Sequence, residues 1–91
     1  MKSHLQLLGL HARDCVTGFA GVITSVSFDL FGCVQAVIAP PLDAEGKIPE
    51  GRWFDVARLV DLSEQPVMPR PDFEQGLVAE GRKGPADKPA R

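Results

Sequence analysis

Ninety-one residues make one small domain and leave no room for a second. Charged residues at 24% and hydrophobic residues at 44% are ordinary for a globular protein, while ten Lys+Arg against twelve Asp+Glu give a formal charge of −2, against electrostatic binding of nucleic acid. Nine Gly and eight Pro speak against a helical bundle, and no apolar run approaches the roughly 18–20 residues of a membrane span.

The first residues, Met1 to Leu8, lack the long apolar core and small-residue cleavage site of a signal peptide. Leu5 to Leu10 reads either as an added strand or as a short helix, so residues 1–9 form an N-terminal extension. Arg13-Asp14-Cys15-Val16-Thr17 is a β-favouring run, and Gly18-Phe19-Ala20-Gly21 is a turn. Val22 to Phe28 is rich in β-branched residues and puts Val22, Thr24, Val26 and Phe28 on one face. Asp29-Leu30-Phe31-Gly32 supplies the next turn, with Gly32 free to take a positive φ. Cys33 to Ala39 is the most apolar strand, with Val34, Ala36 and Ile38 on one face and Cys33, Gln35 and Val37 on the other. Two apolar faces predict an interior strand.

Pro40-Pro41 stops that strand. The loop from Leu42 to Gly51 is long for a hairpin, and either pairs weakly with itself or serves as a binding loop. Arg52-Trp53-Phe54-Asp55 is a fourth strand, Val56-Ala57-Arg58 one tight helical turn capped by Asp55, and Leu59-Val60-Asp61-Leu62 the closing strand. The period-2 faces converge on Val22, Val26, Val34, Ile38 and Leu62 as core. After Ser63 the composition changes: five of the eight prolines lie there, aliphatics are few, and five cations balance five anions. Such a segment buries too little apolar surface to offset its ordering entropy, so residues 64–91 read as a Pro-rich, mostly disordered tail.

Five short strands within about 50 residues, with one turn of helix between the last two, predict an all-β fold. Their order is that of a small five-stranded SH3-like barrel over residues 10–63, and closing the sheet protects its edges. Val16-Thr17-Gly18-Phe19-Ala20-Gly21-Val22, Gly32-Cys33-Val34-Gln35, Gly46-Lys47 and Trp53-Phe54-Asp55 together resemble small uncharacterised proteins encoded by tailed phages and bacterial prophages. The Gly-x-x-Gly-Val turn entering a β-branched strand also resembles the KOW motif of ribosomal and transcription-factor barrels. The phage resemblance implies a bacterial cytoplasm or a virion and an accessory role, and carries no activity with it.

The candidate chemistry is sparse. Cys15, Cys33, His4 and His11 are the soft ligands, and none falls at a zinc-site spacing, so neither a metal nor a cofactor is expected. Two cysteines without a signal sequence read as free thiols of a reducing cytoplasm. His11 and Cys15 stand more than about 12 Å apart on an extended chain, too far for a thiol and its base. Asp43, Glu45 and Glu50 sit on a solvated loop rather than in a desolvated pair, so a non-enzymatic protein is expected. Adjacent Trp53 and Phe54 point to opposite faces, so one lies inside and the other outside. Phe54 is wholly apolar and suits burial, whereas the Trp53 indole N–H wants a polar partner. Trp53 is therefore the expected outer residue, with Arg52 as a stacking cation, Asp55 on the same face, and Phe28 and Phe31 completing a contact patch for a protein partner or a second copy. The alternative is a KOW/Tudor-type nucleic-acid module, which the interleaving of Arg13, Lys47, Arg52 and Arg58 with acidic residues disfavours.

Overall fold

The β-branched run that the sequence marks out is the strand on which the other elements hang. In the computed structural model, which describes residues 3–73, it is β2 (Ala20–Phe28). The other strands are β1 (His11–Asp14), β3 (Val34–Ala39), β4 (Arg52–Asp55) and β5 (Leu59–Asp61). They form one antiparallel sheet in the order β4-β3-β2-β1-β5, the all-β architecture expected. The 3-10 turn Val56–Arg58 joins β4 to β5, and a second one, His4–Leu7, settles the N-terminal extension as helical. The edge strands β4 and β5 are not paired with each other, so the ladder is open along that seam.

β2 serves two partners in succession. Its first residues, Ala20 to Val22, pair with β1, and Val22 to Phe28 pair with β3. Between the two stretches the register shifts: Ile23 opposes Ile38, but Ser25 opposes Val37, leaving Thr24 as the extra residue of a β-bulge. The bulge resets the side-chain alternation. Ile23 faces the core before it and Val26 after it, whereas uninterrupted period 2 puts Val22 and Val26 on the same face. The expected core face is therefore corrected in its first half: Ile23 is buried and Val22 is only half-buried.

The core comprises Leu7, Leu10, Ala12, Ile23, Ala36, Ile38 and Phe54, with Val26, Val56 and Leu59 packed against it. Ile38 is fully buried as expected, and Val34 is half-buried. Leu62 is not core: it is 52% exposed. β5 pairs Asp14 with Leu59 and Ala12 with Asp61, which turns Leu59 inward and the alternate residues out. β3 lies between β2 and β4, the interior place its two apolar faces predict.

Three hairpin turns each begin with an aspartate. The first strand ends at Asp14 rather than Thr17, because the Asp14 carboxylate accepts from the Thr17 N–H and hydroxyl and closes a turn there. In the Gly-x-x-Gly stretch, Gly18 takes φ +83°, and Gly21 lies against the Ala39 carbonyl, where no Cβ fits. The Leu42–Gly51 loop pairs with itself at its tip, where Asp43 donates its N–H to the Lys47 carbonyl at 2.9 Å.

After β5 the chain runs back along the N-terminal extension. Ser63 Oγ accepts from the His11 N–H, the Val67 N–H donates to the Gly9 carbonyl, and Arg70 donates to the carbonyls of Leu8 and Gln6 at 2.8 and 2.6 Å. Hydrogen bonds rather than apolar burial hold residues 66–70 in place. The expectation of a disordered tail lies, from residue 74 onward, outside the described residues.

Replacing Ile38 by Ala is expected to cost about 2–5 kcal/mol by chemical denaturation, the range for a filled core site. Val22→Ala, on the other side of the bulge geometry, is expected to cost clearly less.

Candidate functional site

β4 presents two aromatic residues to opposite sides of the sheet. Its register places Phe54 opposite buried Ala36, and Trp53 opposite Val37. Phe54 is 9% exposed and Trp53 53%, the disposition that period 2 and the indole N–H together require. Pairing extends the Trp53 row across the sheet as Ser25–Val37–Trp53, and the next row is Ser27–Gln35–Asp55. The outer face of β2, β3 and β4 is therefore built of small or polar side chains around one large aromatic ring. Asp55 shares this face, as expected. It occupies the capping position of Val56–Arg58 without making a side-chain cap hydrogen bond, which corrects the capping expectation.

Arg52 does not belong to this face. It stands in register with Ile38, on the opposite side of β4 from Trp53. The cation that does meet a ring is Arg58, whose guanidinium carbon lies 5.4 Å from the Phe54 centroid. Phe54 in turn packs on Phe19 at a centroid distance of 5.4 Å.

Phe28 and Phe31 are also separated from Trp53. Phe28 pairs with Val34 at the end of β2, 60% exposed, with the His4 ring edge-on at 5.7 Å. Phe31 is 87% exposed at the tip of the Asp29–Cys33 turn, and beside it Leu30 is 91% exposed. The expected contact patch thus divides: Trp53 and Asp55 on the outer sheet face, Phe31 at a turn tip, Phe28 and Arg52 elsewhere. Leu30 went unselected in the sequence reading, although two adjacent apolar residues inside an Asp-x-x-Gly turn were the signal that marks it.

The other unanticipated group is Asp14, which has no solvent contact. Arg58 Nε donates to its Oδ1 and Nη2 to its Oδ2, both at 2.7 Å, a bidentate pair. The Arg58 hydrogen bonds, followed by those from Thr17, outweigh desolvation and hold the Asp14 carboxyl well below the carboxylate range, while Asp14 raises Arg58. Asp29 is lowered chiefly by the Cys33 N–H, and its charge pushes the Cys33 thiol up and away from thiolate chemistry. Cys15 and Cys33 are exposed free thiols. Among the described residues no three His, Cys, Asp or Glu side chains gather as a metal site, and no helix is long and apolar enough to cross a membrane.

Comparison with protein-family models, curated proteins and solved structures finds no match to this chain.

A carboxyl whose folded value lies below its ordinary value of 3.8 adds stability that is complete above that value and is lost as pH falls through the folded one. Denaturation measured across an acid series is therefore expected to show stability falling below about pH 4. Arg58→Met is expected to lower stability at neutral pH and to flatten this acid dependence, because the unpaired buried carboxylate then gains from protonation.

Proposed function

We propose that the chain is a non-enzymatic protein-interaction module, and that it recognises its partner with the outer face of β2, β3 and β4, centred on Trp53. The observation that carries this reading is the half-exposed Trp53 ring on a face otherwise built of Ser25, Ser27, Gln35, Val37 and Asp55. Tryptophan is enriched among residues that dominate binding energy, and a rigid strand presents it at low entropic cost. The Asp55 carboxylate beside it adds a hydrogen-bond acceptor at the rim of the face. The resemblance to tailed-phage and prophage proteins supports an accessory or morphogenesis role, in a bacterial cytoplasm or a virion.

A nucleic-acid reading draws less support. Asp55 adjoins Trp53 on the face, and Arg52 projects to the other side of β4. A phosphate backbone calls for cations around the stacking aromatic.

Trp53→Ala is expected to keep the fold, with stability changed by less than about 1 kcal/mol, because the ring is half outside. Acrylamide is expected to quench Trp53 fluorescence in the wild type. Wild type and variant, immobilised side by side and exposed to a bacterial lysate, are expected to differ by a protein recovered with the wild type alone. Salt-sensitive micromolar binding to single-stranded or duplex DNA or RNA, lost in the variant, replaces this reading with the nucleic-acid one.

A further inference from the structure

Two turns in this chain are built alike. In Asp29–Cys33, Asp29 donates its N–H to the Cys33 carbonyl at 3.0 Å, and its Oδ1 accepts from the N–H groups of Phe31 and Cys33 at 2.9 Å. In Asp43–Lys47 the corresponding bonds run from Asp43 to Lys47 at 2.9 Å, and from Glu45 and Lys47 to Asp43 Oδ1 at 2.8 and 2.9 Å. The fourth residue is glycine with positive φ in both, +94° at Gly32 and +83° at Gly46. The geometry therefore demands aspartate first and glycine fourth, and nothing of the two residues between. One turn carries Ala44-Glu45 there. The other carries Leu30-Phe31, about nine-tenths exposed and absent from the core. Folding accounts for the first pair and leaves the second unexplained.

At the other end of β2 lies an apolar groove of about 510 Å³, lined by Ala20, Val22, Pro40, Pro41, Leu62 and Val67. Six residue steps of strand lead from Val22 to Phe28, about 20 Å at ~3.3 Å per step, so the turn cannot reach the groove of its own chain. The charges match across the two. The turn is rooted on Asp29, with Asp55 acting on its Cys33. Arg13, in register with the groove residue Ala20, is the cation at the groove's edge.

We propose that the Leu30-Phe31 turn of one chain inserts into the Val22–Pro41–Leu62 groove of a second copy, giving head-to-tail self-association. The two halves of this interface are different surfaces, so it is heterologous, and each added copy leaves one turn and one groove open unless a ring closes. The groove lies on the same side of the sheet as Trp53, since Ala39 follows Val37 by two residues on β3, but Trp53 is not among the residues that line it.

Sedimentation velocity of the full chain over a micromolar-to-millimolar series tests this. The wild type is expected to grow beyond the monomer with concentration. Leu30→Ala/Phe31→Glu, which transplants the residues of the other turn, is expected to keep the wild-type thermal unfolding and to weaken association at least about tenfold. Leu62→Glu in the groove is expected to do the same, with exposed Pro41→Glu as the second groove variant should the first unfold. Mixing the turn variant with a groove variant is expected to yield a 1:1 dimer that does not extend, since only one turn–groove pair remains intact. A wild type that stays monomeric throughout, a turn variant that assembles like the wild type, or a mixture that stays monomeric overturns the proposal.

Discussion

The Asp14 carboxylate, wholly out of water, meets the Arg58 guanidinium through two hydrogen bonds, and this pair ties the end of β1 to the turn between the sheet's two edge strands. Asp14 ends β1, and Arg58 ends the 3-10 turn between β4 and β5. The guanidinium lies over Phe54 of β4, and Phe54 lies on Phe19 from the β1–β2 connection. One ion pair thus ties β1 to the turn that joins the two edge strands. The Cys15 N–H donates to the Arg58 carbonyl at 2.8 Å, so the backbone of the 3-10 turn is held at the same point. A buried carboxylate is tolerated only when its partners are complete, and Asp14 has four hydrogen bonds from Arg58 and Thr17. Geometry fails here by an all-or-none rule, which suits a domain whose apolar core is small.

The second constraint is the bulge in β2. A strand that must pair with β1 over three residues and with β3 over the rest has to bend, and the extra residue at Thr24 supplies the bend. This is where the sequence was least legible. β-branched residues at Val22, Ile23, Thr24 and Val26 mark a strand, but nothing in their spacing marks the slip between Ile23 and Ser25. Period 2 carried through the bulge reverses inside and outside for the first half, which is how Val22 displaced Ile23 in the expected core. The same limit applies at Leu62: alternation offers two faces, and only the pairing of Asp14 with Leu59 chooses between them.

The two later turns, at Asp29 and Asp43, were legible because each is written locally. Gly32, Gly46 and the aspartates three residues before them specify turns through backbone conformation and carboxylate–amide bonds that need no tertiary partner. Trp53 and Phe54 were legible for a different reason. Adjacent residues on a strand must part, and the ring with the N–H suits the wet side. The Asp14–Arg58 pair was illegible because its members lie 44 positions apart, and nothing in either residue's neighbourhood announces the other. Arg52, adjacent in sequence to Trp53, was the wrong cation for the same reason that Phe54 was the right core residue.

Exposure alone does not identify a binding residue in so small a domain. Seven hydrophobic residues are buried among those described, against thirteen large hydrophobic residues that are exposed, so most exposed ones simply reflect a core too small to take them. What separates the informative ones is whether local geometry has any use for them. Val16 and Ile48 stand singly on loops, as scattered apolar residues commonly do. Val67 and Met68 lie in the returning segment, where Val67 lines the groove and its N–H holds Gly9. Leu30 and Phe31 are adjacent, held on a turn that a second copy of the same geometry builds with Ala44 and Glu45. Trp53 is the one large ring on a face of small and polar side chains. These two places carry apolar surface that neither the core nor the turn geometry requires, on rigid backbone that presents it at little entropic cost.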